Sequence, residues 1–339
     1  MTAGVAQQTT PRAARLPRVR RAVRRNPVLV VATAALGLIV LIVVVLPFFL
    51  PDPNATDPVN RLLPPSAGHP FGTDLYGRDV LSRLVSGGRA SLGLAALITL
   101  CAATAGMLIG LISGFFRAAD VVLMRIMDAW MAFPAIILAT ALAVALGASL
   151  WTELIALSVI FTPFVARVIR SRVLSVANRS FIDAARVSGM GRWKTLFVHV
   201  FPNVLPLALV QIIILSAAAM LIDGALSFLG LGIAPPTPTW GNMIAEGRAY
   251  MHEAAWLIII PGLAIILCVY VLNLIGGSLR QVVDPRSRTL TELQRLRSRG
   301  RPGSRKGPAR TGDTDDGHRS QPERPADAAD TSHERTVSP

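Results

Sequence analysis

The sequence predicts an all-α membrane protein with six transmembrane helices and both termini on the cytoplasmic side. Three observations lead there. Only 16% of the 339 residues are charged while 52% are hydrophobic, against about 25% charged in soluble domains. The deficit is concentrated in long runs without Asp, Glu, Lys or Arg, at 28–50, 90–116, 129–152, 195–222 and 254–279. Each is long enough to cross a ~30 Å hydrocarbon core, which takes about 20 helical residues. The net charge of +14 is gathered into blocks rather than spread, which is the signature of the positive-inside rule.

Each element follows in order. Backbone polar groups cannot go unpaired in lipid, so the runs are helices; barrel strands would be half as long and alternate in polarity. Residues 1–27 carry seven arginines and no acid, a basic cytoplasmic tail. The first span covers 28–50, with Pro47 and Pro51 at its outer end. It is too long for a signal-peptide core and lacks a small-residue cleavage pattern, so it reads as retained. Segment 51–88 sets Asp52, Asp57, Asp74 and Asp79 against Arg61, Arg78 and Arg83; it is near neutral and external. Spans at 90–116 and 126–147 flank a short cytoplasmic turn with Arg117, Asp120 and Arg125. The fourth span, 153–173, ends on Arg167, Arg170 and Arg172. Segment 167–200 holds seven basic residues and one acid, Asp183, and is cytoplasmic. The fifth span, 203–226, leads to an external segment, 230–253, and the sixth covers 255–279. The division is therefore a basic tail (1–27), a first helix with its external loop (28–88), a five-helix core (89–284) and a cytoplasmic tail (285–339). That last tail is rich in Pro, Arg, Asp and Ser and is expected to be disordered.

Several function classes fall away. Lysine occurs only at 194 and 306 and the arginines sit in blocks, so the charge reflects membrane topology and not a nucleic-acid surface. Cys101 and Cys268 fall inside spans and read as small packing residues. An ATP-driven machine needs a phosphate-cradling Gly-x4-Gly-Lys-Ser/Thr loop, and neither lysine sits in one. His69, His199 and His252 are isolated, so the chain is expected to carry no catalytic centre, metal or cofactor. Asp223 lies ~30 Å along the fifth span at 1.5 Å per residue, at the outer interface. It reads as a solvated helix end or as an external gate or docking residue. Asp128 and Glu153 read as interfacial.

The loop 176–202 carries more than charge. Asp183, Ala184, Ala185, Arg186 and Val187 favour a short helix that Gly189 and Gly191 break. Trp193–Val200 can form a second helix, which Pro202 ends or redirects. Ala184 and Ala185 offer a smooth face, with Arg186, Arg192 and Lys194 around it. Charge alone would fit a basic loop on anionic headgroups. The spacing of Asp183-Ala184-Ala185, Gly189 and His199-Val200-Phe201-Pro202 resembles the signature loop of binding-protein-dependent ABC importer permeases. Two further stretches, His69–Arg83 and Ala225–Asn242, look like external segments of the C-type permease in the dipeptide, oligopeptide and nickel branch. In the first, Asp74–Arg78 and Asp79–Arg83 are acid-before-base pairs four apart, which favour helix; Asp74, Arg78 and Asp79 are candidates for an external gate or docking site.

The resemblance implies a type I importer permease in a bacterial inner membrane. Asp183, Ala184, Ala185, Arg186, Gly189 and Arg192 would form a coupling helix docked on a separate ATPase. The partners implied are a homologous permease, two ATPase domains that bind ATP and Mg, an extracytoplasmic binding protein and a peptide substrate. Nickel or another small solute is the alternative cargo. An ion-coupled secondary transporter would want ionisable groups near mid-membrane, which the runs do not offer.

Overall fold

The computed structural model describes residues 26–147 and 149–283. The readings made of the two tails, at 1–25 and 284–339, fall outside the described residues. The order is α1 (Pro27–Val45), α2 (Val80–Phe115), α3 (Arg117–Met131), α4 (Ala135–Leu146), α5 (Leu150–Ala177), α6 (Ser180–Val187), α7 (Arg192–Thr195), α8 (Phe201–Phe228), α9 (Trp240–Gly247) and α10 (Trp256–Val283). The described residues form no named strand; Thr73 and Asp79 make an isolated bridge.

Five helical stretches are long and apolar enough to cross a membrane: Pro27–Phe48, Val80–Phe115, Leu150–Ala177, Arg192–Phe228 and Trp256–Val282. The expected third span, 126–147, is a bent pair of helices, and counting it as one span gives six. Helices α3 and α4 meet at an angle of 83°, and Pro134 precedes α4. Proline has no N–H to give and its neighbour is pushed out of the helical region, so the chain turns there.

The second span also starts earlier than expected, at Val80 rather than 90. Asp79 caps it: its side chain accepts from the Ser82 N–H at 2.8 Å, satisfying one of the orphan donors at a helix start. The external segment therefore ends at residue 79. Pro202 does not end a helix. It sits in the first turn of α8 after a π-helical turn, Leu196–Val200, which joins α7 to α8. The π-turn moves the Phe201 N–H onto the Leu196 carbonyl, and the Asn203 side-chain amide donates to the His199 carbonyl at 2.7 Å. These bonds satisfy carbonyls near a residue that cannot donate.

The core is α2 laid against α5. Gly106, Gly110 and Gly114 form a stripe with four-residue spacing on α2. A Cβ built on them would lie 2.6, 2.7 and 2.7 Å from the Cβ atoms of Val165, Ile169 and Val173. Small residues at this period let two backbones approach closely in a membrane, where dispersion replaces the hydrophobic effect as the glue. Helix α1 packs through Leu29 and Ala32 on Val271 and Ile275 of α10. Outward faces stay apolar: Val31, Ile137 and Ile266 are more than 60% exposed, as lipid contact requires.

Candidate coupling surface and external clamp

Helix α6 lies at one end of the bundle. Ile182 (0% exposed) and Ala185 (8%) point inward, while the side chains of Asp183 and Arg186 are largely exposed. The face expected from Ala184 and Ala185 together is thus divided: Ala184 is exposed and Ala185 is buried. The helix ends in a two-bond stop. The Met190 N–H donates to the Ala185 carbonyl at 3.1 Å and the Gly189 N–H to the Arg186 carbonyl at 3.0 Å. Gly189 has φ +76°, the left-handed conformation this Schellman stop requires. Asp183 and Arg186 form a loose exposed pair at 3.4 Å, worth at most a few tenths of a kcal/mol.

The knob is held to the bundle by aromatic contacts. Trp193 packs on Phe116 with ring centroids 4.8 Å apart and stacks on Phe197 at 6.2 Å. The Arg186 guanidinium sits 5.8 Å over the Phe115 ring. Thr195, Leu196 and Val200 are buried beneath. A cleft between the knob and the α2–α3 turn is lined by Phe116, Arg117, Arg186, Met190 and Arg192. Arg170 forms two hydrogen bonds with Asp120 and Arg167 one with Asp128, tying α5 to α3. The expected coupling residues Asp183, Ala184, Ala185, Arg186, Gly189 and Arg192 therefore share one compact projection.

The opposite end holds segment 51–79. Asp74 is not helical. Its Oδ1 accepts the N–H groups of Tyr76 (2.8 Å) and Arg78 (2.9 Å), closing a turn. Its Oδ2 accepts from Arg78 Nε at 2.6 Å and Arg83 Nη1 at 2.9 Å. Both arginines then reach Glu246 Oε2 on α9, at 2.8 and 3.0 Å. The expected Asp79–Arg83 pair does not form: Asp79 is engaged with Ser82 and with His69 Nδ1 at 3.0 Å. Asp74 and Arg78 are 5% and 6% exposed. The cluster is a clamp that fastens segment 51–79 to α2 and α9, not an open docking face. Burial pushes the Glu246 carboxyl above the usual carboxylate range, Arg78 opposing and Asp74 adding to the rise.

Sequence reasoning missed the setting of four residues here. Arg83 and Glu246 owe their roles to a contact between distant segments, which no local spacing announces. Glu153, read as interfacial, is 3% exposed, and Asp223, read in one alternative as a solvated helix end, is 2% exposed. Asp223 is covered because α8 continues past it to Phe228 and segment 229–241 packs on Ser227, where a Cβ on Gly232 or Gly241 would collide. Asp128 does remain at a surface, beside Arg167. Among the described residues no cluster of three or more His, Cys, Asp or Glu is arranged to hold a metal ion.

A multi-span helical membrane protein with a small helical projection at one end and a clamped loop at the other is the class these features define. The chain belongs to the family described as binding-protein-dependent transport system inner membrane component, whose model matches residues 106–289. Residues 16–65 match the N-terminal transmembrane domain of oligopeptide transport permease C. A peptide transport system permease protein of Brucella suis is 40% identical over 257 residues, covering 74% of this chain and 87% of its own. The dipeptide transport system permease protein of Alkalihalophilus pseudofirmus is 38% identical over 268 residues (78% and 88%). The di/tripeptide transport system permease protein of Pseudomonas aeruginosa is 38% identical over 266 residues (74% and 88%). Family and apolar helices together make this a multi-pass inner-membrane protein.

Proposed function

We propose that this chain is the C-type permease subunit of an ATP-driven importer of dipeptides or oligopeptides. The observation that carries the reading is α6 with its glycine stop. It is a rigid, exposed, charged projection, fixed to α2 by Arg186, Phe115, Phe116 and Trp193, at the end where basic residues cluster. A headgroup-binding loop needs charge but no such fixed shape. Peptides are the favoured cargo because the relatives matched along most of the chain are named as peptide or dipeptide permeases.

In this reading a homologous permease completes the pathway. Two ATPase subunits bind ATP and Mg and carry the hydrolytic site that this chain lacks, and an extracytoplasmic binding protein delivers peptide. The ATPases grip Asp183, Ala184, Arg186 and Arg192. Their closure on ATP moves α6, and the packed contacts of Trp193 and Arg186 pass that movement to α2 and α8. The energetic link is a two-state interface whose equilibrium nucleotide shifts.

The test is peptide-stimulated ATP hydrolysis by the reconstituted complex. Gly189→Val puts a side chain on left-handed backbone, which costs roughly 1–2 kcal/mol; no other atom crowds that position. The expected result is severalfold less peptide imported per ATP, with the melting temperature of the complex lowered by no more than a few degrees. Peptide-stimulated hydrolysis at the wild-type rate in a complex whose chain lacks 181–191 would overturn the reading.

A further inference from the structure

Glu153 lies in the first turn of α5 and Asp223 near the far end of α8, both at the end of the bundle opposite α6. The two carboxyls face one another, and Ser227, one turn beyond Asp223, lies beside it. All three are 2–3% exposed. Both Glu153 oxygens, Asp223 Oδ1 and the Ser227 hydroxyl lack a hydrogen-bond partner. Unpartnered carboxyl oxygens at this depth are a sign of an occupant, because buried polar atoms are nearly always satisfied.

No cation of the chain supplies that partner among the described residues. Helix α4 carries no ionisable side chain, and α10 carries no charge before Arg280. On α2, Arg83 is committed to Asp74 and Glu246, and Arg89 is exposed and joins neither acid. Glu246 of α9 is held by Arg78 and Arg83. Arg248 stacks over Phe228. Two ionised carboxylates side by side and dry would repel and would each cost several kcal/mol of lost hydration. The surrounding packing is tight: a Cβ on Gly232 would fall 2.1 Å from Ser227 Oγ, and one on Gly241 2.4 Å from Ser227 Cβ.

We propose that Glu153 and Asp223 form a proton-binding site, with one proton shared between the two carboxyls. The shared proton converts two repelling anions into a hydrogen-bonded monoanion, as in carboxylate dyads generally. Separation of α5 from α8 at this end would hydrate the pair and release the proton. Closure of this end therefore takes a proton up.

The test is infrared spectroscopy of the full-length chain in nanodiscs at neutral pH, which reads the carboxyl itself and does not depend on whether a complex moves peptides. The wild type should show a protonated-carboxyl C=O band that exchanges slowly into D2O. The double variant Glu153→Gln with Asp223→Asn should lack it. Should that variant fail to fold, Glu153→Gln alone must abolish or shift the band. No band in the wild type, or a band unmoved by these substitutions, overturns the proposal.

Discussion

Glu246 shows two opposed forces on one carboxyl. Burial, with Asp74 adding to it, disfavours its charge and Arg78 favours it, and burial wins: its pKa stands above the ordinary carboxylate value. The folded state thus binds this proton more tightly than the unfolded chain does. Its contribution to stability is full below the unfolded carboxylate pKa and is lost as pH rises through the raised one. Glu246→Gln keeps an acceptor for Arg78 and Arg83 without the titration. Melting curves across that window should show the wild type losing ground relative to the variant as pH rises. Parallel curves would place the titration elsewhere. Removing a guanidinium instead of the titration acts differently. Arg83 is 2% exposed and bridges Asp74 to Glu246, so truncating it leaves the two acids sharing Arg78 alone, and a broken buried pair is costly.

The helices themselves were largely legible, because lipid imposes a length and a composition that sequence cannot disguise. Their ends were less so. Val80–Arg89 carries two arginines, which hide the fact that Arg83 is neutralised by Asp74 and that Asp79 caps the helix. The break at Pro134 lies within an uncharged run that composition reads as continuous. The α6 stop was legible because Gly189 must adopt a left-handed conformation there; the division between Ala184 and Ala185 was not, because only the packing partner sets which face turns inward. The glycine stripe on α2 has an openly readable four-residue period, and its meaning depends on α5 lying opposite. That contact sets a prediction. Gly110→Leu drives a side chain into Ile169, whose Cβ already lies 2.7 Å from the position of a methyl. Overpacking of this kind costs about 1–3 kcal/mol, so the purified variant should melt several degrees lower in detergent. Gly93 has no neighbour within 4 Å of a built Cβ, and leucine is the better helix former, so Gly93→Leu should not lower the melting temperature; equal losses at both sites would mean that the α2–α5 approach does not set the cost.

Across the whole molecule, charge separates by end. Arg167, Arg170, Arg172, Arg179, Arg186, Arg192, Lys194 and Arg280 lie toward the α6 end. At the other end Arg61, Arg78, Arg83 and Arg248 are balanced by Asp52, Asp57, Asp74, Asp79, Glu246 and Glu253. Basic loops stay on the cytoplasmic side during insertion, which predicts α6 on the cytoplasmic side and segment 51–79 on the outer side. Two positions test this without disturbing the fold, since Val59 and Val187 are each 90% exposed. With Cys101 and Cys268 replaced by alanine, Val59→Cys should react with a membrane-impermeant thiol reagent in intact spheroplasts. Val187→Cys should react only after the membrane is opened. The reverse pattern would invert the topology, and with it the coupling role of α6, because a surface on the outer side cannot meet an ATP-hydrolysing partner. Labelling of both from outside would mean that 59 and 187 do not lie on opposite sides of the membrane, against their placement at opposite ends of α2, α5 and α8.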